Sequence, residues 1–121
     1  MAMGKRENMR RKGMGYEEAA ARFLERKGWT ILERNYHARV GEIDLVARDG
    51  ETLVFVEVRM RKRDDHGTPL ESIDGRKRSG IVKAAYHYLA THGIDDVDCR
   101  FDVISILDPI FDHIENAFTE E

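Results

Sequence analysis

The chain has 121 residues and a mass of 14.0 kDa, which is one domain's worth of sequence and enough to bury a core without disulfides. A single cysteine, Cys99, excludes an intramolecular disulfide and a cysteine-built zinc centre, and suits a reducing cytosol. The basic start has no apolar stretch, so no signal peptide is expected, and no run reaches the ~20 apolar residues of a membrane span.

The sequence divides into a basic arm over 1–14, a domain over 15–107 and an acidic tail over 108–121. The arm, rich in Arg, Lys, Met and Gly, is expected to be loose. Tyr16, Ala20, Phe23 and Leu24 recur at helical spacing, predicting a helix from Tyr16 to about Lys27 that Gly28 stops. Trp29 to Tyr36 reads as an edge strand. Gly41 to Arg48 and Glu51 to Arg59 flank Asp49-Gly50, a strong hairpin signal. The second of these runs is almost continuously apolar, so a central strand covered on both faces is expected. Arg61 to Ile73 lacks periodicity and contains Gly67 and Pro69, which makes it a loop. Asp74 can cap a helix beginning near Gly75 and ending at Gly93, with Ile81, Ala84, Ala85 and Tyr88 as its apolar stripe. Cys99 to Leu107 alternates as a strand. Asp108-Pro109 breaks it, and Phe111, Ile114 and Phe118 suggest a short terminal helix. The order αβββαβ predicts an α/β fold, a mixed sheet flanked by helices, in which the last strand crosses over a helix to rejoin the sheet.

The charge is unevenly spread. Residues 93–121 hold one Arg and nine acids, a net of −8, so the other 92 residues carry 19 basic and 14 acidic groups, a net of +5. Thirteen of the 20 Lys and Arg lie in Lys5 to Lys12, Arg59 to Arg63 and Arg76 to Lys83. Each cluster alone reads as a solvated surface, but three together point to a polyanionic partner.

Three acids, Glu42, Asp44 and Glu57, fall in segments that otherwise read as buried strand, where an unpaired carboxylate is costly. A two-residue turn at Asp49-Gly50 would set Asp44 diagonal to Glu57, and a four-residue loop would set it directly opposite. Either puts both carboxylates on one face within ~8 Å at Cβ. Paired carboxylates suit a hard cation such as Mg²⁺. The competing reading is neutralisation by Arg59 or Arg48.

Gly41-Glu-Ile-Asp-Leu-Val-Ala47, Val54-Phe-Val-Glu-Val-Arg59, the helical Glu17-Glu-Ala-Ala-Ala-Arg-Phe-Leu24 and Asp74-Gly-Arg-Lys77 together resemble the YraN family of small bacterial proteins. That family is similar to archaeal Holliday junction resolvases and to the PD-(D/E)xK superfamily, and the likeness runs from about Gly13 to Ile106. It implies a restriction-endonuclease-like core and a Mg²⁺- or Mn²⁺-dependent endonuclease that hydrolyses DNA phosphodiesters, branched DNA included. Asp44 and Glu57 would hold the metal, with Glu17 a further ligand. Arg59 stands where the superfamily usually has Lys; it can stabilise developing charge but cannot act as a base. Arg61, Lys62, Arg63, Arg76, Lys77 and Arg78 would grip the nucleic acid around the site, DNA rather than RNA. The resemblance also implies a homodimer, for which the sequence marks no surface. A catalytically inactive nucleic-acid-binding module of the same fold is the alternative. His37, His66, His87, His92 and His113 have no metal-ligand spacing and read as surface or loop residues. Tyr86, Tyr88 and Phe101 read as core, and Cys99 as a strand residue and no nucleophile.

Overall fold

In the computed structural model, residues 5–63, 67–68 and 70–120 are described. A long helix α1 (Lys5–Arg26) leads into three strands, β1 (Thr30–Ala38), β2 (Gly41–Asp49) and β3 (Thr52–Met60). A 3₁₀ turn over Leu70–Ser72 precedes helix α2 (Gly75–Thr91), and β4 (Cys99–Leu107) and β5 (Ile110–Phe118) complete the chain. The strands form one mixed sheet in the order β1-β2-β3-β4-β5. Among the described residues only β3 and β4 run parallel, because α2 lies between them in sequence and carries the chain back.

The helices cover opposite faces. Ala20, Ala21 and Leu24 of α1 pack on Leu45, Ala47, Val54, Val56, Ile104 and Ile106. Ile81, Ala84, Ala85 and Tyr88 of α2 pack on Val46, Leu53, Phe55, Phe101 and Val103. This double cover explains the unbroken apolar run of β3, whose residues 53–56 are all buried. Asp74 caps α2 as expected, its Oδ1 accepting the Lys77 N–H at 2.8 Å.

Two expectations need correction. The segment read as a loose arm is helical from Lys5 onward; Lys, Arg, Met and Glu are good helix formers, and Gly13 and Gly15 cost only about 1 kcal/mol each against Ala. Residues 1–4 of that arm lie outside the described residues. The terminal helix suggested for 110–118 is instead β5, an antiparallel edge strand. Phe111 faces the α1 side and Ile114 and Phe118 the α2 side. An edge strand covered on both faces has apolar residues at both parities, which imitates helical spacing.

The acidic tail is therefore part of the sheet, and a buried network holds it there. Asp102 of β4 is fully buried, and its Oδ1 accepts from Arg100 Nε at 3.0 Å and from the Asn116 backbone N–H at 2.9 Å. Its Oδ2 lies 2.8 Å from His113 Nε2, and Lys27 Nζ is 2.9 Å from the other ring nitrogen. His113 is thus a buried residue and not a surface one; its ring packs edge-on against Trp29 and Phe23. Tyr88 and Phe101 are core, but Tyr86 is exposed. His66 lies outside the described residues.

Candidate metal and phosphate site

The β2–β3 register settles the hairpin. Asp49 pairs with Thr52 and Arg48 with Leu53, so the turn is Gly50-Glu51, with Gly50 at φ +61°. That is the register in which Asp44 stands opposite Glu57. The ladder ends one step before them, at Leu45↔Val56.

The cause of the break lies in β1. Asn35 has φ +52° and stands opposite Asp44, between the pairs Arg34↔Leu45 and Tyr36↔Ile43. A left-handed residue turns the strand about its axis, so side chains two apart no longer share a face. Arg34 reaches Glu18 of α1, whereas Tyr36 reaches His87 and Thr91 of α2. On β2 the same switch appears: Leu45 belongs to the α1-side core and Ile43 to the α2-side core. Asp44 sits at the switch. Its Oδ2 accepts the Val58 backbone N–H at 2.8 Å, supplying by side chain the bond that β2 no longer makes by backbone.

Asp44 is therefore reached from both layers. From α1 comes Glu17, hydrogen-bonded to Asp44 and to the Asn35 side chain. Burial first, and then the Asp44 charge, hold the Glu17 carboxyl above its ordinary value. From the α2 side comes Glu57, only 2% exposed. Burial, and then the Asp44 carboxylate hydrogen-bonded to it, push the Glu57 carboxyl up to about 8. Two cations oppose this without overcoming it: Arg59 Nη1 at 3.5 Å and Lys77 Nζ at 3.6 Å from Glu57 Oε2.

The donors are all carboxylate oxygens, and burial beside Asp44 favours the protonated form of the most buried of them despite the two cations. That combination fits a hard divalent cation. Among the described residues no three His, Cys, Asp or Glu side chains are already gathered into a cage. A Mg²⁺-type ion needs none, since it binds through one or two carboxylates with waters and substrate phosphate.

The expected site residues divide. Glu17, Asp44, Glu57 and Arg59 come together, and Lys77 joins them instead of standing with its neighbours in the chain. Arg59 is also anchored to the loop before α2, Nη2 donating to the Ser72 carbonyl at 3.0 Å and Nε to Ser72 Oγ at 3.3 Å. Arg78 Nε donates to the Ile73 carbonyl and Arg61 Nη2 to the Gly67 carbonyl, so both brace the same loop. Lys62, Arg63 and Arg76 are exposed beside it. Lys77 is delivered by a tight contact between β2 and α2: a Cβ built on Gly41 would lie 2.2 Å from the Gly80 carbonyl oxygen. Sequence reasoning missed Asn35 and this use of Lys77. An Asn inside an alternating strand is the kind of residue that tolerates positive φ, and it was the available signal.

Comparison with known proteins finds relatives of one family. A profile described as "Uncharacterised protein family UPF0102" matches residues 16–106, a span that holds every residue of the site. A UPF0102 protein of Pelotomaculum thermopropionicum is 50% identical over 111 residues, covering 84% of this chain and 90% of the relative. One of Dechloromonas aromatica is 49% identical over 110 residues, covering 91% and 90%. One of Moorella thermoacetica is 50% identical over 97 residues, covering 80% and 81%.

Proposed function

The chain belongs to the uncharacterised protein family UPF0102, and on that footing we propose that it is a metal-dependent nuclease that hydrolyses DNA phosphodiesters. The observation that carries the reading is Glu57: a buried carboxyl hydrogen-bonded to Asp44, with Arg59 and Lys77 within 3.6 Å. Asp44 and Glu57 would hold a Mg²⁺ or Mn²⁺ ion, with Glu17 on the α1 side of Asp44. Such an ion, when bound, polarises a phosphodiester and lowers the pKa of water.

The protein's own groups do the rest. The Val58 N–H fixes Asp44 Oδ2, so one oxygen of that carboxylate keeps its direction. Arg59, locked onto Ser72, presents a fixed guanidinium beside Glu57 suited to the charge that develops on a phosphate. Lys77 brings a second positive charge on a flexible stem. The exposed Lys62, Arg63 and Arg76 at the rim supply sequence-independent backbone affinity.

A second reading, a nucleic-acid-binding module without catalysis, is favoured by Arg59 itself, which cannot give up a proton. One experiment separates them. Purified protein is incubated with Mg²⁺ or Mn²⁺ and linear, flap and four-way DNA, beside Asp44→Ala. The nuclease reading expects cleavage that Asp44→Ala abolishes while binding persists. Absence of cleavage on all three substrates, or cleavage unchanged by Asp44→Ala, would overturn it.

A further inference from the structure

The two cations that meet Glu57, Arg59 and Lys77, stand with the loop before α2 and with α2 itself. On the α1 side Glu17 forms one end of a groove of about 530 Å³ between α1 and β1. Arg22 and Arg26 of α1 and Arg34 of β1 line it, and Phe111 at the start of β5 lies along it. Beyond the carboxylate cluster these three arginines meet one acid in the groove, Glu18. That acid is already bonded to Arg34 at 2.9 Å and Arg22 at 3.5 Å, and the Arg34 hydrogen bond holds its carboxyl below the usual range. The groove is therefore net positive and has no free anion of its own. Phe111 is half-buried, stacked on Phe23 at 5.1 Å between ring centres, and keeps part of its ring in the groove.

A row of guanidinium groups beside an aromatic ring is the chemistry that holds single-stranded nucleic acid: the cations take phosphates and the ring takes the face of a base. The groove has the size of a small-ligand pocket, which suits a short stretch of one strand. We propose that the α1–β1 groove is a track for a single nucleic-acid strand leading to the carboxylate pair, with Arg22, Arg26 and Arg34 on its phosphates and Phe111 under a base. The inference rests on the nuclease reading for where the strand leads. It deepens that reading by making the substrate one with an unpaired arm.

Binding measured in EDTA tests the track independently of cleavage. Fluorescence anisotropy is recorded with oligo(dT), oligo(rU) of the same length and a blunt duplex. The variants are Arg22→Gln with Arg26→Gln, and Phe111→Leu, which keeps apolar bulk under Phe23 and loses the stacking face; thermal melts check that both fold. The double variant should lose about tenfold in oligo(dT) affinity and flatten the slope of log K against log salt by about 1.4, two contacts' worth for a single strand. Phe111→Leu should weaken oligo(dT) several-fold without changing that slope, because stacking releases no counterions. Duplex binding should be unaffected by either. The tighter of oligo(dT) and oligo(rU) identifies the sugar. Wild-type affinity for oligo(dT) in both folded variants, or equal losses on the duplex, would overturn the track even if the protein cleaves DNA. A protein that shows these losses but never cleaves keeps the track and loses the nuclease reading.

Discussion

Replacing Glu57 with glutamine removes a titratable carboxyl from a nearly sealed position and keeps its length and its hydrogen-bonding reach toward Asp44. In the folded protein the carboxyl titrates near 8; in the unfolded chain it titrates at its ordinary 4.5. The native state thus binds this proton more tightly than the unfolded state does. The stability it confers is fully present below about 4.5 and is lost as pH rises through about 8. The difference of about 3.5 pH units corresponds to at most about 5 kcal/mol, and relaxation around the ionised group will reduce it to a few. Urea unfolding in EDTA at pH 4.5, 7 and 9 reads this directly. Glu57→Gln should match the wild type at pH 4.5 and exceed it by a few kcal/mol at pH 9. A pH-independent gap between the two proteins, or a glutamine variant that is the less stable at pH 9, would mean that Glu57 is not held protonated by burial.

Gly41→Ala should cost about 1–3 kcal/mol in urea unfolding, since its Cβ would run into backbone at Gly80 and not into a side chain that can move. Asp102→Ala should cost about 3–5 kcal/mol by leaving the buried His113 without its acceptor and taking from Arg100 the nearest of its three acids, Asp49 and Glu115 being the others. Burial pushes the Asp102 carboxyl up, but hydrogen bonds from His113, Asn116 and Arg100 overcome it and hold the group below its ordinary value. Its contribution is therefore present above the unfolded pKa of about 3.9 and fades as pH falls through the lower native value, so acid titration should narrow the gap between wild type and variant. Arg59→Lys should retain or raise cleavage, because Lys keeps the positive charge beside Glu57 and can share a proton with water; complete loss would mean that the Ser72 anchor is what matters.

The sequence shows where elements form more readily than how they twist. Period-two alternation locates β4 to the residue, and the Asp-Gly pair locates the hairpin, yet the turn sits one residue later, at Gly50-Glu51. That single step decides whether Asp44 is diagonal to Glu57 or opposite it. The face switch at Asn35 is invisible to periodicity, because it depends on one left-handed residue whose effect appears only in which helix Arg34 and Tyr36 reach. Arg76, Lys77 and Arg78 read as one basic run, but consecutive helical residues point about 100° apart. So Lys77 meets Glu57, Arg78 turns back to Ile73, and Arg76 faces out. The acid pair was legible because carboxylates among buried apolar residues demand a partner. The groove was not, since its arginines come from the neighbouring α1 and β1 while its aromatic ring, Phe111, comes from β5 at the other end of the chain.

A divalent cation that binds between Asp44 and Glu57 would displace the proton that burial holds on Glu57. Calorimetric titration of the protein with Mn²⁺ at pH 7, repeated in buffers of different ionisation enthalpy, counts ions bound and protons released together. One Mn²⁺ should bind, with about one proton released from Glu57, and both signals should be lost in Asp44→Ala. Absence of Mn²⁺ binding, or binding that releases no proton and survives Asp44→Ala, would contradict it.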